Sequence, residues 1–286
     1  MLYIGSHTSF NKDTQLMGVV DTAIENGANV FMFYTGSNQS TLRFPIDEEI
    51  TKFAHKKMIE NKIDKDKCII HAPFIINLAN NSDETKYKFY VNFLKQEIGR
   101  CKSLGINNLV LHPGSHVSVP LPDALQSVAN GLNLALKDNK GINILIEFMS
   151  GKGTEVGKNI DEIKIILDNV IYKDQVYVCL DTCHINDAGY DISEFDKFLE
   201  EFDQKIGIEK IKCVHINDSK NVVGAHKDRH ENLGYGTIGF DNLINVIYNK
   251  RLENIPKLLE TPYVNDKSPY KMEIEMIKQK KFTSFI

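Results

Sequence analysis

The stretch VCLDTCHINDAGYD, residues 178–191, runs from an apolar strand straight into an aspartate, a cysteine and a histidine. Extended back to Val176 it reads VYVCLD, an almost continuous apolar run of the kind seen in strands covered on both faces within a parallel sheet. The same texture recurs in LYIG (2–5), VFMFY (30–34), KCIIH (67–71), LVLH (109–112), INILIE (142–147), IKCVHIN (211–217) and PKLLE (256–260). Helical stretches lie between these runs. Leu125, Val128, Leu132 and Leu136 share one face, and Phe195, Phe198, Leu199, Phe202 and Ile206 share another, stopped by Gly207. Asn159 with Glu162 reads as a capping box, Ser82 as an N-cap, and Ser268-Pro269 as a helix start. Eight β-then-α units, each roughly 30 to 40 residues and without a linker between them, predict one (β/α)8 TIM barrel spanning residues 1–286 as a single domain. A doubly wound sheet would need a glycine-rich phosphate loop after an early strand, and IGSHTS is not one.

Composition narrows the class. The chain is 42% hydrophobic and 25% charged, which suits a soluble globular protein with a large core. No run approaches about 18 apolar residues, and MLYIGSHTSF lacks the basic start of a signal peptide, so an intracellular, cytoplasmic protein without membrane contact is expected. The five cysteines lack any CxxC and mostly sit in apolar strand runs, which predicts reduced core thiols. A formal charge of −4 argues against general nucleic-acid binding, which usually goes with a basic excess.

In a barrel of this kind chemistry gathers at the C-terminal ends of the strands. Strand three ends at His71, four at His112, five at Glu147, six at Asp181 with His184 in the next turn, seven near His215, and eight at Glu260. The loop after the seventh holds Asp228-Arg229-His230. Any one of these residues alone is more often a helix cap or a satisfied histidine than a ligand. Together they are harder to explain that way, because burying five imidazoles and four carboxylates in one mouth is costly without cations. Nitrogen and oxygen donors without thiolate suit Zn²⁺ or Mn²⁺, and the number of donors calls for two or three ions. Cys183, between Asp181 and His184, is expected to face elsewhere.

The segments YIGSHTS, HAPFIINLAN, LVLHPGSH, ILIEFMSGKG, VCLDTCHINDAGYD, CVHINDSK, KDRHENLGYGTIG and IPKLLETP, in this order along the whole chain, resemble endonuclease IV, the metal-dependent apurinic/apyrimidinic endonucleases of base-excision repair. The resemblance implies three zinc ions. His71, His112 and Glu147 would bind the first. Glu147, Asp181, His215 and Glu260 would bind the second, and His184, Asp228 and His230 the third, with Mn²⁺ a possible substitute. Glu147, bridging two ions, would be the catalytic residue. The activity implied is cleavage of the phosphodiester 5′ to an abasic site in double-stranded DNA, together with cleaning of blocked 3′ ends by phosphodiesterase or phosphatase action, carried out by a monomer.

The family's DNA-penetrating side chains come from the loops after the second and third strands, which here read TGSNQSTLRFP and HAPFIIN. Phe74 stands where some members carry Tyr and keeps the apolar wedge without the hydroxyl. Gln39 and Arg43 are the candidates from the other loop, whose spacing aligns less cleanly. Lys220, Lys227 and Arg229 are candidate phosphate contacts, as are Lys152 and Lys158, for which simple solvated surface is the stronger reading. Three divalent ions would offset the charge of −4 and concentrate positive potential at the mouth. His7 would orient a ligand, His55 is expected at the surface of a helix, and His116 and His226 have no role. A sugar isomerase or epimerase on a related barrel is the alternative activity, although it has little use for a third ion. A catalytically dead binder of damaged DNA ranks below it, since no ligand is missing.

Overall fold

A computed structural model describes residues 1–285. Its main sheet has eight parallel strands: β1 (Ile4–Ser6), β2 (Met32–Phe33), β3 (Ile69–His71), β4 (Asn108–Leu111), β5 (Asn143–Glu147), β6 (Val176–Asp181), β7 (Ile211–Ile216) and, late in the chain, β10 (Lys257–Leu259). Their order is β1-β10-β7-β6-β5-β4-β3-β2, with helices around a nearly closed TIM barrel. A two-stranded antiparallel ribbon, β8 (Asp218–Ser219) with β9 (His230–Glu231), stands outside this sheet, in a stretch where the sequence has no apolar run to announce a strand.

The strands that end the order, β1 and β2, meet through an isolated bridge between His7 and Met32, supported by Thr8 N donating to Met32 O at 2.8 Å. Asn29 ties the same join: its Nδ2 donates to Leu2 O and its Oδ1 accepts from Ile4 N, both at 2.9 Å. The backbones approach so closely here that a Cβ on Gly5 would come within 1.9 Å of Val30 O, so only glycine fits.

The helices are α1 (Gln15–Glu25), α2 (Glu48–Glu60), α3 (Glu84–Leu104), α4 (Leu121–Leu136), α5 (Ile160–Asn169), α6 (Thr182–Ala188), α7 (Phe195–Lys205), α8 (Phe240–Ile247) and α9 (Tyr270–Gln279). The apolar stripes predicted for α4 and α7 face the core: Leu125, Val128, Leu132, Leu136, Phe195, Phe198, Leu199 and Phe202 are all buried, each contributing about 1.5–3 kcal/mol by leaving water. Asn159 caps α5 by accepting from Glu162 N at 2.8 Å, while the Glu162 carboxylate reaches back to Gly157 N. The cap of α3 is Asp83 and not Ser82: its Oδ1 accepts from both Thr85 N and Lys86 N, two donors satisfied by one carboxylate oxygen. Pro269 occupies the cap position of α9, one residue ahead of the first turn. Among the described residues no helix is long and apolar enough to cross a membrane, and the five thiols are free and buried.

Candidate metal centre

The C-terminal ends of six consecutive staves, β3, β4, β5, β6, β7 and β10, deliver His71, His112, Glu147, Asp181, His215 and Glu260 to one mouth. His112 and Glu260 stand one residue beyond their strands. Glu147 lies at the centre. Its Oε2 is 3.2 Å from His71 Nε2 and 3.0 Å from His112 Nε2, while its Oε1 is 3.1 Å from His215 Nδ1 and 3.4 Å from His184 Nδ1. His215 Nδ1 also faces Glu260 Oε2 at 3.0 Å and Asp181 Oδ2 at 3.8 Å.

The outer corner is built by helix and ribbon. Asp181 ends β6 and caps α6, accepting from His184 N at 2.9 Å, which sets the histidine in the first helical turn. His184 Nε2 then lies 3.1 Å from Asp228 Oδ1, and His230, at the start of β9, places Nε2 at 3.4 Å from the same oxygen and 3.7 Å from Asp181 Oδ2. Cys183 does not face elsewhere: its Sγ lies within 4.8 Å of donor atoms of Asp228 and His230, because the tight turn from β6 into α6 brings residue 183 round to the same corner.

The electrostatics are those of a cation site. Burial alone would raise the Glu147 carboxyl, yet His112 and His215 beside it hold it well below the usual carboxylate range. Burial likewise opposes ionisation of Asp228, but hydrogen bonding to His184 and the His184 charge bring it down to about 2. Glu260 is lowered by His215 in the same way, against its own burial. For His184 burial works downward and is outweighed by Asp181 and Asp228, which raise it well above the ordinary imidazole value. Among the described residues three buried imidazole nitrogens at the mouth, His7 Nε2, His215 Nε2 and His230 Nε2, have no hydrogen-bond partner; the His230 nitrogen nevertheless points at two carboxylate oxygens. Donor atoms fall into groups within 4.8 Å of one another: His71, His112 and Glu147; Glu147, Asp181, His215 and Glu260; and Asp181, His184 and His230, with Asp228 sharing His230. Mixed imidazole and carboxylate donors in this arrangement fit divalent ions of the zinc or manganese kind.

Several supporting residues escape a reading by strand ends. Asn217 donates from Nδ2 to Asp181 Oδ2 at 2.7 Å and accepts at Oδ1 from Glu260 N at 3.0 Å, so it ties two donors from different staves. Tyr34, Asn38 and Tyr270 line the same cavity of about 280 Å³, together with His7. The His7 ring packs 5.3 Å from Tyr34, and its Nε2 is buried without a hydrogen-bond partner.

The candidates for DNA contact separate. Phe74 is 47% exposed and stands over the mouth, its ring 5.0 Å from that of His112 and 5.8 Å from that of His71. Gln39 is exposed on the loop after β2, where Asn38, its neighbour, is the one that reaches the cavity. Arg43 does not project from that loop. Its side chain is 2% exposed and its Nε donates to the buried Glu97 Oε1 at 2.7 Å, where a carboxylate buried on α3 would be costly to leave without a charged partner. Lys220 and Arg229 are exposed, Lys220 lying 3.6 Å from Glu231. Lys152 lines a second hollow of about 340 Å³ that shares Phe74, His112 and Asp228 with the first. His55, half-buried against α3, bonds Leu104 O, while His116 and His226 bond Val119 O and Ser150 O, backbone contacts without a place among the donors.

The barrel with its ring of donors defines the class: residues 20–280 match the family described as the xylose isomerase-like TIM barrel. Within that class the chain is 48% identical over 282 residues to probable endonuclease 4 of Mycoplasma capricolum, covering 98% of each, and it superposes on endonuclease IV from Thermus thermophilus with a TM-score of 0.82 at 26% identity, covering 97% of this chain and 99% of that one. The chain belongs to the endonuclease 4 family, the metal-dependent apurinic/apyrimidinic endonucleases of DNA repair that its motifs resemble. The D-psicose 3-epimerase of Clostridium cellulolyticum, with a TM-score of 0.64 and 13% identity over 96% of this chain and 89% of that one, is similar in fold alone.

Proposed function

We propose that the mouth holds three zinc ions and hydrolyses the phosphodiester 5′ to an abasic site in double-stranded DNA, leaving a 3′-hydroxyl and a 5′-deoxyribose phosphate, and that the same site trims blocked 3′ ends. One observation carries this reading: the two oxygens of Glu147 serve different donor groups, Oε2 facing His71 and His112 and Oε1 facing His215, as a bridging carboxylate would. Clustered divalent ions, when bound, supply an activated water at neutral pH, neutralise phosphate oxygens and stabilise the leaving 3′ oxygen.

The chain's own side chains do the rest. Glu147, His71 and His112 hold the inner position; Asp181, His215 and Glu260 complete the next; His184, Asp228 and His230 hold the outer one. Phe74 over the mouth fills the gap left when a nucleotide swings out and keeps the duplex kinked. An abasic nucleotide gives up little stacking on rotation, so a small cavity accepts it and turns away a nucleotide that keeps its base. Arg229 and Lys220 meet flanking phosphates. Asn38 lines the cavity from the loop after β2, and Gln39, exposed beside it, meets the duplex from the same rim, whereas Arg43 is held by Glu97.

The test is incision of a duplex bearing one abasic analogue, with the product ends mapped and bound zinc counted in the same preparation. Three zinc per chain, cleavage that survives brief EDTA but stops after prolonged chelation, and a Glu147→Gln variant slower by orders of magnitude are expected. Two ions or fewer would return the site to a sugar isomerase, and a Glu147→Gln variant cutting at the wild-type rate would remove the bridging role.

A further inference from the structure

Of the acidic residues in the stretch 178–191, the strand-end reading uses only Asp181. Asp187, in the last turn of α6, is fully buried and makes no ion pair among the described residues. Four donors satisfy its carboxylate instead. Oδ1 accepts from Ser219 Oγ at 2.7 Å and Asn186 Nδ2 at 3.2 Å; Oδ2 accepts from Asn221 Nδ2 and from the backbone N of Asp228, both at 2.9 Å. Its own carbonyl accepts from His226 N at 2.9 Å. Asp187 therefore grips both ends of the segment from Ser219 to Asp228.

That segment is costly to hold. His226 and Asp228 sit at φ +54° and +56°, a left-handed conformation that non-glycine residues keep only where their surroundings enforce it. Both of these residues donate their backbone N–H to Asp187. The carboxylate of Asp228 is thereby delivered 3.1 Å from His184 Nε2 and 3.4 Å from His230 Nε2. Every group facing the Asp187 side chain is a donor, so the position calls for an acceptor on both oxygens, which asparagine cannot supply.

We propose that Asp187 is a positioning residue for the outer cation: by fixing the peptide of Asp228 it sets that donor against His184 and His230 and so governs how tightly the outer ion is kept. The inference rests on the three-ion reading above. Its test compares wild type with Asp187→Asn, which is nearly isosteric, and Ser219→Ala, which removes one donor and leaves the carboxylate in place. The readouts are zinc per chain, the rate of zinc loss to a chelator, the melting temperature of the metal-free protein, and hydrogen exchange of the Asp228 amide.

For Asp187→Asn, one of three zinc equivalents should be lost about 10- to 100-fold faster than from wild type while the other two are retained, in line with the usual cost of removing a residue that orients a ligand. Incision should fall and be restored by added zinc, and the Asp228 amide should exchange faster. Ser219→Ala should show the same selective loss to a smaller degree, and it carries the test should Asp187→Asn not fold. Retention of all three ions at wild-type rates, or a loss spread equally over the three, overturns the role of Asp187 alone. Fewer than three ions in wild type overturns the three-ion reading on which it rests.

Discussion

The rim of the barrel contains two kinds of polar residue. Those at the ends of β3 to β7 and β10 are carried by strands locked into ladders on both sides, so the place in the strand determines where the side chain goes. Those on the loop between β2 and α2 have no ladder, and each side chain takes the best partner within reach. Arg43 finds Glu97 on α3, 54 positions away, and also donates to the carbonyls of Ser37, Ser40 and Leu42, so it folds the loop over itself. Glu97 in turn accepts from Thr35 Oγ1 at 2.6 Å, and Arg100 clasps Thr35 and Phe44 from the other side. A residue that looks like a DNA contact in the sequence is thus an internal staple. Chemistry built on strands is fixed by the fold, whereas chemistry built on this loop is fixed by one buried ion pair.

This contrast can be broken at several points. The largest effect is expected on the strand side, where Glu147→Gln should remove incision by orders of magnitude while leaving the circular-dichroism spectrum of the barrel unchanged. Next comes Arg43→Ala. It takes the ion-pair partner from buried Glu97 and leaves it the Thr35 hydroxyl and the more distant Arg100, so urea unfolding should show a loss of about 3–5 kcal/mol. A variant of unchanged stability with weakened DNA binding would make Arg43 a surface residue after all. Phe74→Ala should do the reverse: near-normal stability, since the ring is half exposed, and incision of abasic duplex reduced about tenfold through loss of stacking worth roughly 1–3 kcal/mol. The smallest effect is that of Arg229→Ala or Lys220→Ala, each weakening binding across sequences and lowering the slope of log affinity against log salt by about 1. A salt slope left unchanged by both would take these residues out of the interface.

The same distinction explains how much was legible. All eight barrel strands were visible because their apolar runs are nearly continuous, and six of the nine candidate donors fall where such strands end, the other three lying on α6 and the segment that follows β7. Of VFMFY only Met32 and Phe33 pair with β3, and towards β1 there is one isolated bridge, from Met32 to His7, a limit on pairing that no run of hydrophobic residues reports. Ser82 and Asp83 are both acceptable caps, and the Ser82 hydroxyl is instead taken up by Asn80 Oδ1 at 2.6 Å, leaving the first-turn amides to Asp83. Asn217, Asp187 and Arg43 were opaque for a common reason: each acts through partners far along the chain, and spacing records only near ones. Cys183 was misplaced because the strand continues into a helix without a loop, so the residue after Thr182 swings back towards the mouth.

The join between β1 and β2 has a further consequence. The six donor-bearing staves are consecutive in the sheet, and the two that carry none of the donors are those that close it. The ring is therefore a bracelet with its clasp set away from the jewels. The His7–Met32 bridge, Thr8 and Asn29 hold that clasp beside the His7 and Tyr34 side of the cavity, while continuous ladders run through the strands that carry the donors. The seam of the barrel and the ladders that set the candidate donors are in this way kept on different arcs.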